Sequence, residues 1–298
     1  MKLTLPARPP FSFRSAVVSH GWMQLVPFTF DEKKNLLTYV DRLDSGRVVE
    51  LRLREAPGGI VVEVPGSFSP SERKEVKRKA AWMFGLDLDF SEFYALARSE
   101  PKLRHAEKRA QGRVLRCPTL FEDVVKTILT TNTLWAATRR MNANLVAQFG
   151  DPLPGDPSRH AFPTPAELGE SSEATLRSET RLGYRAPYIL ELACRVASGD
   201  LDLEGLKAED LPTPDLRKRL LAIKGVGNYA AANLLVLLGR YDFLPVDSWA
   251  LKVVSYEWFD GRPVQPAQVE AAFEKWGKWK GLAYFHWDWS YQPPGVTP

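Results

Sequence analysis

The chain has 298 residues, 44% hydrophobic and 26% charged, a length that allows two compact domains and a balance usual for a globular protein. Two cysteines (Cys117, Cys194) and four scattered histidines exclude a disulfide framework, a four-thiolate metal site and an HExxH zinc helix. The formal charge of +4 permits a nucleic-acid partner without requiring one.

The opening MKLTLPARPPF lacks the apolar stretch of a signal peptide, and no run reaches the roughly 18–20 apolar residues of a membrane span, so a cytoplasmic location without membrane contact is expected. Ala16–His20 and Met23–Phe30 are rich in β-branched and aromatic residues and read as strands. Arg47–Arg54 and Gly59–Pro65 flank the turn signal Ala56-Pro57-Gly58-Gly59. Val48, Leu51 and Leu53, then Ile60, Val62 and Val64, predict an antiparallel hairpin. Ser69-Pro70-Ser71-Glu72 is a helix start with proline in the first turn.

Beyond about residue 70 the pattern is helical. Basic residues gather in Arg73–Lys79 and Lys102–Arg116, and the simpler reading of each is a solvated helix face. From Pro118, Leu120, Phe121, Val124, Val125, Ile128 and Leu129 recur at helical spacing and predict one buried face. Asp151–Pro165, rich in proline and glycine, reads as a loop. Further helices are predicted over Pro165–Ser178, Ala186–Ser198, Pro214–Ile223, Tyr229–Leu238, Ser248–Phe259 and Pro266–Lys278. The fold class is α+β: a small antiparallel-sheet domain over residues 1–113 and a larger all-helical domain over 114–298. The absence of βαβ alternation argues against a Rossmann-type nucleotide fold.

The segment Leu221-Ala222-Ile223-Lys224-Gly225-Val226-Gly227-Asn228-Tyr229 carries the first chemical signal. Gly225 can adopt the positive φ that closes one helix, and Gly227 leaves no Cβ in the way of an approaching backbone. Unpaired N–H groups of Asn228 and its neighbours at the next helix start would then form a phosphate site indifferent to base sequence. The plain alternative is a glycine-rich link between two core helices. One helix later comes Leu244-Pro245-Val246-Asp247-Ser248-Trp249. Asp247 is a suitable N-cap. Beside a strand held by the hairpin, the same carboxylate could also stabilise the cationic sugar formed as an N-glycosidic bond breaks.

The run L-x-x-I-K-G-V-G-x-Y-A-A…F-L-P-V-D resembles the signature of the helix-hairpin-helix (HhH-GPD) DNA glycosylase superfamily. Leu182-Gly183-Tyr184-Arg185-Ala186-Pro187-Tyr188 resembles a stretch of the 8-oxoguanine glycosylase branch, and Pro118–Gly150 with Ile128–Thr133 resembles the family helix whose N-terminal part lies at the DNA gap. The strand-rich first domain is similar to the group that holds 3-methyladenine DNA glycosylase II and 8-oxoguanine glycosylase. The resemblance implies a helix-hairpin-helix glycosylase domain acting on damaged double-stranded DNA at the nucleoid, as a monomer. It implies Asp247 as the catalytic aspartate and Gly225, Val226, Gly227 and Asn228 as the phosphate grip. A potassium or sodium ion on the carbonyls of Leu221, Ile223 and Val226 would assist that grip; no other cofactor is implied. Asn132 would fill the space of the extruded base, Tyr184 would wedge the stack, and Arg185 would bond the orphaned partner base. Each has a structural alternative: a helix interruption, a surface ring and a phosphate contact.

Two departures from the pattern matter. Glycosylases that also cut the backbone have a lysine where this chain has Tyr229, and a phenol cannot form an imine. Ala137 stands where the 8-oxoguanine branch has a second arginine. A monofunctional enzyme using water on an alkylated base is the preferred reading; an 8-oxoguanine glycosylase and a non-catalytic DNA-binding protein are the alternatives. Tyr229, Trp249 and Trp135 are the candidate pocket rings. Of the C-terminal aromatics Trp276, Trp279, Tyr284, Phe285, Trp287, Trp289 and Tyr291, most are expected in the core and one or two at the pocket.

Overall fold

The structure, a computed structural model, describes residues 1–244 and 246–291. The first elements are β1 (Lys2–Pro6), α1 (Phe13–Val17), β2 (Phe28–Asp31), β3 (Leu36–Arg42), β4 (Val48–Ala56) and β5 (Gly59–Glu63). The five strands form one antiparallel sheet in the order β1-β5-β4-β3-β2. The predicted hairpin is β4–β5, closed by the Ala56–Gly59 pair. Its inward residues are Val49, Leu51 and Leu53 against Ile60 and Val62, so Val49 replaces the half-buried Val48 in the alternation.

Ala16–His20 is not a strand. Ser12 accepts a hydrogen bond from the Ser15 N–H at 3.2 Å, and this cap starts α1, whose last residues Ala16 and Val17 are buried. The local cap overrides the β preference of the valines. Within Met23–Phe30 only the stretch from Phe28 is extended, because Gly21–Gln24 forms a 3-10 turn. Strands β1 and β3 were not among the predicted elements.

α2 (Pro70–Phe84) starts where predicted, with a reciprocal Ser69–Glu72 capping box, and is followed by α3 (Ser91–Ala97) and the single turn α4 (His105–Lys108). The basic run after Lys102 is not a uniformly solvated face. Arg113 is buried and donates to the carbonyls of Arg8, Pro10, Gly85 and Leu88 at 2.7–3.0 Å, while the buried Arg116 lies over the Trp82 ring.

α5 (Leu120–Thr130) differs most from its sequence pattern. Every residue from Leu120 to Leu129 is buried, including Glu122, Asp123, Lys126 and Thr127. A helix packed all round must pair its ionised groups internally. Lys126 lies 2.6 Å from Glu122, which also accepts the Tyr39 hydroxyl hydrogen of β3 at 2.5 Å. Asp123 Oδ1 accepts the Trp22 indole N–H at 2.8 Å and the Cys117 N–H at 3.1 Å. These bonds fix the sheet and the 20–24 turn to one helix.

The chain continues with α6 (Trp135–Phe149), a small β6–β7 hairpin (Pro152–Leu153, Asp156–His160), α7 (Pro165–Gly169), α8 (Glu173–Thr180), α9 (Ala186–Ala197), α10 (Thr213–Leu221), α11 (Asn228–Leu237), α12 (Ser248–Trp258), α13 (Pro266–Phe273) and α14 (Lys280–His286). Asp151–Pro165 therefore contains two short strands, and Pro165–Ser178 is two helices rather than one. A large apolar cluster joins the sheet, α2, α5, α6 and α9–α11, while a second joins α3 to α12–α14.

Burial raises the Asp123 carboxyl from 3.8 to about 6, against the lowering effect of its two N–H donors. Folding favours its protonated form, so its contribution is complete below the unfolded value and is lost as pH rises through 6. Asp123→Asn keeps an acceptor for both N–H groups and removes the charge. Urea unfolding should show the variant gaining roughly 2 kcal/mol on the parent between about pH 4 and about pH 7.5; a constant difference would place the titration elsewhere.

Candidate functional site

The turn between α10 and α11 requires its glycines for two different reasons. Gly225 has φ +87, and a Cβ there would stand 2.8 Å from Cδ2 of Tyr188, so both conformation and space demand glycine. Gly227 has ordinary extended backbone, and a Cβ there would meet nothing within 4 Å. Its side faces open space. Gly227 is the N-cap of α11 and supplies no side-chain acceptor, so the first amides of the helix point outward uncapped. Val226 is buried beneath the turn and donates its N–H to the Ile223 carbonyl at 3.0 Å. Asn228 is exposed and accepts from Arg217 at 2.7 Å.

An open groove of about 680 Å³ runs beside this turn. It is lined on one side by Ile223–Gly227 and on the other by Thr131-Asn132-Thr133, Tyr184 and Tyr188. The hairpin and the Asn132 segment, far apart in sequence, thus face one another. Asn132 is exposed and has φ +46, a left-handed turn at the end of α5. Tyr184 is 46% exposed, with its hydroxyl 3.4 Å from the Thr131 carbonyl. Arg185 is placed differently from the expectation of a base contact. It is 6% exposed, its guanidinium donates to the carbonyls of Thr131 and Asn132, and it stacks on Tyr184 at 4.5 Å. In this structure Arg185 holds the 131–132 turn and does not face the groove. Leu134, 81% exposed two residues beyond Asn132, is an apolar side chain that no sequence motif singles out.

A narrower cavity of about 290 Å³ opens behind the groove, lined by His20, Trp22, Thr127, Trp135, Asn233 and Phe285 among others. Tyr229, 47% exposed, lines both spaces together with Thr130 and Thr133, so its ring is part of the ridge between them. Trp135 lies on the cavity wall, with its indole N–H on Gln24 Oε1 at 2.8 Å. Trp249 does not line the cavity; it stands exposed on α12 with its ring edge-on to Tyr291 at 5.7 Å. Of the C-terminal aromatics, Trp276, Trp279 and Trp287 are core, and Phe285 is the one on the cavity wall. His20, Trp22, Thr127 and Asn233 were not candidates. Helical spacing could have found Asn233, one turn after Tyr229, but nothing in the spacing of His20 or Trp22 relates them to α11.

Asp247 is half-buried and caps α12, its Oδ1 accepting the Ala250 N–H at 2.8 Å. Pro245, expected to constrain its approach, lies outside the described residues. Oδ2 has no hydrogen-bond partner among the described residues. The carboxylate also acts on Tyr284 of α14, whose phenol is pushed up first by burial and then by the Asp247 charge. Asp247 itself lines neither the groove nor the cavity; the residue after Tyr284, Phe285, lines the cavity. Lys224 is the lysine on the groove and is held by Glu191 at 2.5 Å; Lys252 lies 4.8 Å from the Tyr291 ring centre. Leu221, Ile223 and Val226 all line the groove, and among the described residues the Leu221 and Val226 carbonyls accept no hydrogen bond. Such oxygens suit an alkali cation. No group of three or more metal-ligating side chains occurs among the described residues, and no helix of these residues is long and apolar enough to cross a membrane.

Residues 125–278, just over half of the chain, match the HhH-GPD superfamily of base excision DNA repair proteins. The DNA-3-methyladenine glycosylase of Bacillus subtilis is 24% identical over 220 residues, 72% of each chain. The solved 3-methyladenine DNA glycosylase of Archaeoglobus fulgidus superposes with a TM-score of 0.74 at 23% identity, covering 95% of this chain and 96% of its own. The 8-oxoguanine glycosylase/lyase of Clostridium acetobutylicum, in complex with double-stranded DNA, gives 0.67 at 22% identity over 90% of each chain. Both structural likenesses are likenesses of fold.

The two hairpin glycines should separate in a stability measurement. Gly225→Ser forces a side chain into a left-handed turn against Tyr188 and should destabilise by about 1–3 kcal/mol. Gly227→Ser adds an N-cap hydroxyl and should leave the protein as stable or up to about 1 kcal/mol more so. Equal losses in chemical denaturation would mean that Gly227 is packed, not open.

Proposed function

The chain belongs to the HhH-GPD superfamily of base excision DNA repair proteins, and from that premise we propose that it is a monofunctional DNA glycosylase that hydrolyses the N-glycosidic bond of an alkylated base. The observation that carries this reading is the arrangement of the α10–α11 turn, the Asn132 segment and the narrow cavity around Tyr229. A strand seated on the uncapped amides of α11 would be held by its phosphate whatever its sequence. A potassium or sodium ion on the Leu221, Ile223 and Val226 carbonyls would supply positive charge to the same contact.

Asn132 and Tyr184 stand at the opposite lip of the groove, where they would occupy the gap left by the flipped nucleotide. Arg185 would act through them, holding their turn. The extruded base would enter the cavity between Trp135, Phe285 and the Tyr229 ridge. Extrusion costs a few kcal/mol and least for a poorly paired base, which itself favours lesions. An electron-poor alkylated ring gains from stacking on these aromatic faces.

The base leaves with the electrons of the glycosidic bond, and positive charge develops on the sugar. Asp247, with one oxygen fixed by Ala250 and the other unengaged, would stabilise that charge while water adds to the carbon. Tyr229 supports hydrolysis without strand cleavage, since no amine stands at its position. The B. subtilis relative named for 3-methyladenine supports an alkylated purine as the substrate class.

Asp247→Asn should preserve the helix cap and DNA affinity and lower base release from duplexes carrying alkylated bases at least about 100-fold. Unchanged release would remove Asp247 from the chemistry, and release of oxidised or deaminated bases alone would replace the substrate class. Borohydride added during turnover should trap no enzyme–DNA adduct; efficient trapping would identify a lysine nucleophile. The Gly227→Ser protein should bind duplex at least about tenfold more weakly despite its stability, since the hydroxyl occupies the approach of the strand.

A further inference from the structure

The narrow cavity contains polar atoms that the reaction above does not use. His20 is half-buried on its wall, with Nε2 2.6 Å from the Leu115 carbonyl oxygen. A carbonyl only accepts, so Nε2 carries a hydrogen. Burial lowers the imidazole to about 4, the Lys126 charge adding to it and the Leu115 bond opposing it, so the ring is neutral near pH 7. A neutral ring protonated on Nε2 has a lone pair on Nδ1, and that atom has no partner among the described residues. The ring is well fixed. Trp22 meets it edge-on at 4.7 Å, and Ser19 Oγ accepts the Leu115 N–H at 3.0 Å, so residues 19 and 20 clasp Leu115.

A second orphan lines the same space. Thr127 of α5 is 1% exposed, and its hydroxyl has no hydrogen-bond partner. Buried polar groups are normally satisfied, so the buried, unpartnered Thr127 hydroxyl, with the unpartnered His20 Nδ1 on the same wall, equips the cavity for a polar ligand. An acceptor locked in place and a hydroxyl free to rotate match an aminopurine edge, where an amine donor adjoins a ring nitrogen acceptor.

We propose that His20 is a specificity-determining residue: its Nδ1 accepts a hydrogen bond from the exocyclic amine of an adenine-type base, while the Thr127 hydroxyl donates to the adjoining ring nitrogen. This rests on reading the cavity as the base pocket, but its test needs no catalysis. The probes are 9-methyladenine and 9-methylpurine, which differ in the amine and have the glycosidic nitrogen blocked. Binding is followed by quenching of tryptophan fluorescence, since Trp22 and Trp135 line the cavity.

The parent should bind 9-methyladenine about fivefold more tightly than 9-methylpurine, the contribution of one neutral hydrogen bond in a shielded site. His20→Phe should abolish that preference and leave 9-methylpurine affinity within about twofold; Thr127→Val should weaken both probes alike. In the unaltered protein with nitrogen-15 histidine, the unprotonated Nδ1 resonance should move with 9-methyladenine and stay with 9-methylpurine, which serves if His20→Phe does not fold. Equal affinities in the parent, no binding of either probe, or a preference that survives His20→Phe would overturn the assignment. A parent that shows the preference but releases no damaged base would uphold the role of His20 and sink the glycosylase reading alone.

Discussion

The site depends on the polar side chains of a helix that has no solvent-facing side. Because α5 is buried from Leu120 to Leu129, Glu122, Asp123 and Lys126 must find partners inside the protein. Each partner belongs to an element that shapes the site or supports it. Glu122 takes the Tyr39 hydroxyl of the sheet, and Asp123 takes the Trp22 indole on the cavity wall. The same helix presents Thr127 and Thr130 to the cavity and ends in the left-handed Asn132 turn. Satisfying the buried charges and building the two open spaces are therefore one structural problem with one solution.

The other half of the site uses little side-chain charge. The α10–α11 turn offers backbone amides and a helix dipole, and its nearby Lys224 is tied to Glu191. Such a surface can hold a phosphate without preferring one base, and under the proposed reading selection would fall to the cavity. A division of this kind suits a protein that must examine many sequences and act on few sites. The second apolar cluster, from α3 to α12–α14, carries Asp247 and Phe285 on elements distinct from those that carry the turn.

What the sequence disclosed follows the range of the forces involved. The Gly225–Gly227 turn and the Ser69–Glu72 capping box were legible because each is set by residues within a few positions. Asp247 was legible as a cap for the same reason, and its placement in a signature suggested more. Ala16–His20 was misread because a single Ser12 cap outweighs the preference of two valines. The β6–β7 hairpin was hidden in a proline-rich segment, where Arg159 reaches Glu50 of β4, a contact no local pattern records. The burial of Glu122 and Asp123 is not legible from one apolar helix face, since hydrogen-bond partners about 80–100 residues away are invisible in a window of eleven. The cavity walls were the least legible part. His20, Thr127, Asn233 and Phe285 come from four separated segments and meet only through packing.

Tyr229 is a shared boundary between the groove and the cavity, on the first turn of the helix whose uncapped amides border the groove. Moving that helix to tighten or loosen its hold would move the partition wall as well. Under the proposed reading, changes that strengthen attachment to the backbone should thus alter which nucleobases are accepted, and remodelling the chamber should perturb attachment. The two properties would then be coupled through this ring, with Thr130 and Thr133 as the other residues bordering both spaces.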